Sequence, residues 1–231
     1  MARGSAVRRG LPHIVRPSRA AGSTPGKPVD HQTRDAAVGY FRGVATDDDT
    51  SSAWLVHGER IIYDNEWIRL FLTDVEQPDG ERFESHVAKL KAAAMLVLID
   101  TEDRVLLMWR HRFVSDRWGW ELPGGHVDEG DDPEDAALRE LLEEVGYRPK
   151  TLRHVTRFQP MVGMIDSWHD VFVGEGAEKI AEPTETNEMA RMEWVPLSSV
   201  MSKISDGDIW NSGASIGLLH VLAERAQRPS S

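Results

Sequence analysis

The spacing of apolar and polar positions changes near Trp54. Before it, the first fifty or so residues are rich in Arg, Ser, Gly, Pro and Ala and keep no period, which predicts a disordered extension over 1–52. Beyond it, short runs at 60–63, 68–75 and 82–88 read as strands divided by the turn signals Asp64-Asn65 and Pro78-Asp79-Gly80. They predict an antiparallel meander within 54–90. Apolar runs at 93–99 and 105–110, joined by polar 100–103, predict a hairpin entering the core. A helix is expected over 133–145: Asp131 or Asp132 caps it, Pro133 suits its first turn, and Gly146 ends it. Ala136, Ala137, Leu141 and Val145 mark its buried side. Further strands are expected near 152–158, 170–174 and 191–195. A last helix is expected near 214–226, where Ile216, Leu219, Val221 and Leu222 recur at helical spacing. The pattern is that of one mixed α+β layered domain over 53–228.

Composition narrows the class of protein. With 40% hydrophobic and 28% charged residues the chain has the mixture of a globular protein with a core of its own. The longest apolar run, 92–99, is far short of the roughly 18 to 20 residues that span a bilayer, so no membrane segment is expected. Cysteine is absent, which removes disulfides and thiolate metal sites and fits a cytoplasmic setting. The net charge of −11 is uneven: residues 1–29 carry six basic side chains and no acid, so the remainder stands six charges lower, at −17. An acidic body argues against nucleic-acid binding and suits a protein that gathers divalent cations.

The chemistry concentrates at 124–146. Glu140, Glu143 and Glu144 are i,i+3 and i,i+4 neighbours on the expected helix, so three carboxylates crowd one edge. They also lie in the last turns, where the helix dipole disfavours anions. A solvated acidic face is one explanation. A hard divalent cation is the other, since Mg²⁺ prefers carboxylate and carbonyl oxygens and removes both penalties. The glycines Gly124 and Gly125 in front of the helix favour the second, because they let backbone carbonyls approach an ion.

Residues 125–147 resemble the Nudix box, a signature of twenty-three positions, without a gap: Gly125, Asp131, Arg139, Glu140, Leu141, Glu143, Glu144, Gly146 and Tyr147 take its defining places. Asp131 stands where the family usually has glutamate, and Tyr147 where a smaller aliphatic residue is usual. The resemblance implies a Nudix-type α/β/α sandwich around a mixed sheet. It implies Mg²⁺, or Mn²⁺, held by Glu140, Glu143, Glu144 and the Gly124 carbonyl, and a structural pairing of Asp131 with Arg139. The water-activating base is then Glu143 or, in the loop 160–167, Asp166.

The segment from Arg110 through Trp118 to Gly125 is similar to that of ADP-ribose pyrophosphatases. It implies Arg110 or Arg112 on phosphate and Trp118 on a base. The expected reaction is hydrolysis of ADP-ribose or a related nucleotide sugar to a nucleoside monophosphate and a sugar phosphate. The alternatives are a nucleoside triphosphate or other nucleoside-diphosphate-X substrate, and a non-catalytic ligand sensor. The resemblance also implies a homodimer.

Overall fold

The computed structural model describes residues 52–185 and 189–227, so the extension expected over 1–52 lies outside the described residues except for Ser52. The strands are β1 (Leu55–Asp64), β2 (Ile68–Glu76), β3 (Arg82–Leu90), β4 (Ala92–Ile99), β5 (Arg104–Arg112), β6 (Arg117–Glu121) and β7 (Gly124–Val127). After helix α1 (Pro133–Val145) come β8 (Tyr147–Arg148), β9 (Thr151–Phe158), β10 (Ile165–Asp166), β11 (His169–Glu175), β12 (Glu178–Lys179) and β13 (Arg191–Pro196). Helices α2 (Val200–Ser205) and α3 (Ser212–Gln227) close the chain.

The meander forms as the turn residues predict. β1, β2 and β3 are antiparallel neighbours, and β10 adds to the outer edge of β3 in parallel. The main sheet runs β13-β5-β4-β11-β9, with β6 on β5 and β7 on β4. It is mixed, because β11 lies parallel to β4 and antiparallel to β9.

The hairpin expected of β4 and β5 closes only at its base, where Ile99 faces Val105. Beyond that pair the strands part: β4 takes β7 as its partner and β5 takes β6. The physical reason is that β6 and β7 satisfy the backbone groups that the splayed strands leave open. The parting seats the glycines of β7 beside the core of the sheet.

Alternation along β4 and β5 builds two cores. Ala94, Leu96, Leu98, Leu106 and Met108 pack on one face with Ala136, Ala137, Leu141 and Val145 of α1. Val97, Ile99, Val105 and Leu107 pack on the other with Ala214, Leu218 and Val221 of α3. The result is helix, sheet, helix, as the resemblance implies. Among the described residues no helix is long and apolar enough to cross a membrane.

Candidate active site

Helix α1 places the site. Asp132 settles the open choice of cap: its carboxylate accepts the Glu134 N–H at 2.8 Å, and Pro133 occupies the first turn. At the other end Gly146 turns left-handed at φ 76°, and a side chain there would strike the Ala181 carbonyl. No basic residue lies in the last turn, so that turn itself offers nothing to offset Glu143 and Glu144.

Their counter-ions are Arg110 of β5 and Arg139, one turn earlier on α1. Glu144 is 3% exposed, with its Oε1 on the Arg110 guanidinium and its Oε2 accepting the Gly124 N–H at 2.8 Å. Burial pushes its carboxyl up to about 7, against the opposing pull of Arg110 and the Gly124 N–H. Glu140 lies over Gly125, where a Cβ would sit 2.6 Å from both carboxylate oxygens. Only glycine leaves that room. Burial raises the Glu140 carboxyl as well, opposed by Arg139. Arg139 reaches Glu140 Oε1 at 2.9 Å and Glu143 Oε2 at 3.1 Å, and its Nη2 donates to the His126 carbonyl at 3.4 Å.

That placement corrects the expected Asp131–Arg139 pair. Asp131 is one methylene shorter than the glutamate usual at its position, and Arg139 turns instead to Glu140 and Glu143. Asp131 takes part in the loop through its backbone, its N–H donating to the Asp128 carbonyl at 3.1 Å.

The three residues expected on substrate are separated. In the β5–β6 register Arg110 faces Gly119, Arg112 faces Arg117, and His111 faces Trp118, so the two arginines and Trp118 point to opposite faces of the sheet. Arg110 is 3% exposed and serves as the inner counter-ion of Glu144, rather than a group presented to a phosphate. Arg112 stays partly open and donates from Nε to Glu121 Oε1 at 2.9 Å. Trp118 stacks on Trp109 at 6.2 Å and leaves much of its ring exposed.

Asp166 is exposed on β10, where its carboxylate accepts the Gln159 side-chain N–H at 3.4 Å. Among the described residues no three acidic or imidazole side chains already converge on one point. The donors nevertheless fit a hard divalent cation: three carboxylates, two of them drawn out of water, beside a glycine cradle that a Cβ would fill.

Sequence reasoning passed over Glu121, a buried carboxylate that holds Arg112. Its signal was present, as an acid set between the apolar Trp120 and Leu122. It also passed over the pair of Lys91 with Asp128 at 2.7 Å and the approach of the Trp67 and His126 rings at 6.2 Å, which gather around β7 only through tertiary contact.

A layered fold with carboxylates on one helix edge behind a glycine strand defines a class of hydrolases, and comparison with known proteins agrees. A family model described as the NUDIX domain matches residues 89–213, more than half of the chain. The chain belongs to this family and is a Nudix hydrolase. It is 46% identical over 169 residues to a CMP-5'-(N-acetyl-N-hydroxy-3-aminopropyl)phosphonate hydrolase of Streptomyces rubellomurinus, covering 73% of this chain and 82% of that protein. It is 30% identical over 152 residues to an ADP-ribose pyrophosphatase of Mycobacterium tuberculosis, covering 64% and 73%. A crystal structure of an ADP compounds hydrolase shares the fold with a TM-score of 0.68 at 19% identity, covering 77% of this chain and 97% of that one.

Proposed function

We propose that this chain hydrolyses the anhydride between the two phosphorus atoms of a nucleoside 5′-diphosphate derivative, with Mg²⁺ held by Glu140, Glu143, Glu144 and the Gly124 carbonyl. Mn²⁺ is the alternative ion. The observation that carries the reading is the carboxylate edge of α1, with Glu144 buried and Glu140 seated over Gly125. When bound, the cation neutralises phosphate oxygens and lowers the pKa of a water. Glu143, the most open of the three, takes the proton as the water oxygen attacks phosphorus. The bridging P–O bond breaks, its electron pair leaves with the distal group, and a nucleoside monophosphate is released. Asp166 is the second candidate base. Of the two arginines expected on phosphate, Arg112 is the one with an exposed side chain, which supports it as the group that meets one.

Two substrates of this class compete. ADP-ribose or a nucleotide sugar follows from the arginine and tryptophan segment of β5 and β6. A cytidine monophosphate joined to a phosphonate follows from the higher identity to the Streptomyces enzyme, and that identity ranks it first.

The test is a panel of a CMP-linked phosphonate, ADP-ribose, other nucleotide sugars, dinucleoside polyphosphates and nucleoside triphosphates, with products resolved by ³¹P NMR. A monophosphate released from a two-phosphorus substrate is the expected result. Turnover confined to triphosphates, releasing inorganic pyrophosphate, overturns the reading.

The same reading includes a cytoplasmic setting, supported by the absence of cysteine. It also includes a homodimer, supported by the exposed Trp54, Ile61 and Tyr63 on and beside β1.

A further inference from the structure

Two arginines pair with Glu140, Glu143 and Glu144 of α1, and the structure holds them in different ways. Arg110 and Glu144 form a pair whose side chains are 3% and 4% exposed, with the second Glu144 oxygen fixed by the Gly124 N–H. Each carboxylate oxygen has two acceptor sites, so Glu144 keeps lone pairs for a further partner while both contacts stand. Arg110 comes from β5 of the main sheet, and both side chains of the pair are buried.

Arg139 is unlike it. Its side chain is 42% exposed, and it spans Glu140 at 13% and Glu143 at 36%. It stands on the same helix as its partners, next to one and four residues from the other. Nothing from Asp131 draws it away.

We propose that Arg110 is a permanent counter-ion and Arg139 a displaceable one, so that a divalent cation enters by taking Glu140 and Glu143 from Arg139 while Arg110 goes on holding Glu144 in position. The inference rests on the metal site proposed above and adds how the site is kept before the ion arrives. Arg110 is then a positioning residue for a ligand, and Arg139 is a competitor for the ion.

The two roles give opposite signs in one measurement. Arg139→Gln and Arg110→Met each remove one positive charge from the same site, so charge alone pushes both variants toward tighter cation binding. Only a difference in role separates them. Mn²⁺ binding to the substrate-free protein is read by electron paramagnetic resonance, which counts free ion and needs no turnover. Arg139→Gln is expected to bind about threefold more tightly, the scale of one part-exposed ion pair. Arg110→Met is expected to bind roughly 10-fold to 100-fold more weakly, as when a group that orients a ligand is lost. Arg110→Lys, which keeps the charge without the fork, falls between Arg110→Met and wild type.

Circular dichroism and thermal melting show whether the buried variants fold, and Arg139→Gln carries the test by itself if they do not. Weaker binding by Arg139→Gln, or wild-type binding by a folded Arg110→Met, overturns the inference. Failure of the wild type to bind Mn²⁺ overturns the metal reading beneath it instead.

Discussion

Glu144 is ionised with difficulty where it lies. Its carboxyl is pushed from the ordinary 4.5 up to about 7, chiefly by burial. Between those two values the folded protein keeps a proton that the unfolded chain has released. Its contribution to stability is therefore complete below about pH 4.5 and is lost as the pH rises through about 7. Melting temperatures of the metal-free protein should fall from about pH 5 to 7, and the fall should be shallower in Glu144→Gln, which has no such proton to lose. Equal slopes in the two proteins would remove Glu144 as the source. Gly125 leaves room for the Glu140 carboxylate only because it has no side chain. An alanine Cβ would meet the Glu140 carboxylate at 2.6 Å and push it from its seat. Gly125→Ala should keep the fold by circular dichroism and lose roughly tenfold or more in turnover. Full turnover would show that Glu140 is free to move aside.

Helix α1 should answer to its ends. Removing the cap with Asp132→Ala costs about 1 kcal/mol of stability. Gly146→Ala should cost more, since it adds the Ala181 carbonyl clash to about 1–2 kcal/mol for a left-handed turn without glycine. Urea unfolding of both variants checks the order, and a smaller loss at Gly146 would contradict it. This helix was readable in the sequence but for the choice of cap between Asp131 and Asp132, because its proline, its closing glycine and its apolar period are all local. The glutamate edge of α1 and the glycines before it are local in the same way. β6 and β7 were not, since their pairing with β5 and β4 depends on strands that part only in the folded protein. The two-residue strands β8, β10 and β12 are too short to carry any period. The inward turn of Arg110 did leave a trace: it continues the alternation of Leu106 and Met108 toward α1. A resemblance that implied phosphate contact hid that plainer reading.

On the scale of the whole molecule, the α1 face carries the acidic site and the partly open Arg112, while the opposite face carries the tryptophan stack of β5 and β6. The N-terminal sheet adds a third surface, with β1 exposed along nearly all its length. Light scattering after gel filtration should give twice the chain mass, and Ile61→Lys should shift the protein toward a monomer if β1 lies in the contact. A wild-type monomer would remove the dimer from the proposal. In the proposed reaction, the glutamate edge of α1 holds the ion on which hydrolysis of the nucleoside diphosphate derivative depends. The most direct measurement is ³¹P NMR of a nucleoside diphosphate derivative with Mg²⁺, comparing the wild type with Glu140→Gln and Glu144→Gln at equal folded concentration. The expected result is a nucleoside monophosphate from the wild type and at least a hundredfold slower release from both variants, the scale expected when charge stabilisation is lost. Wild-type rates from either variant would contradict it.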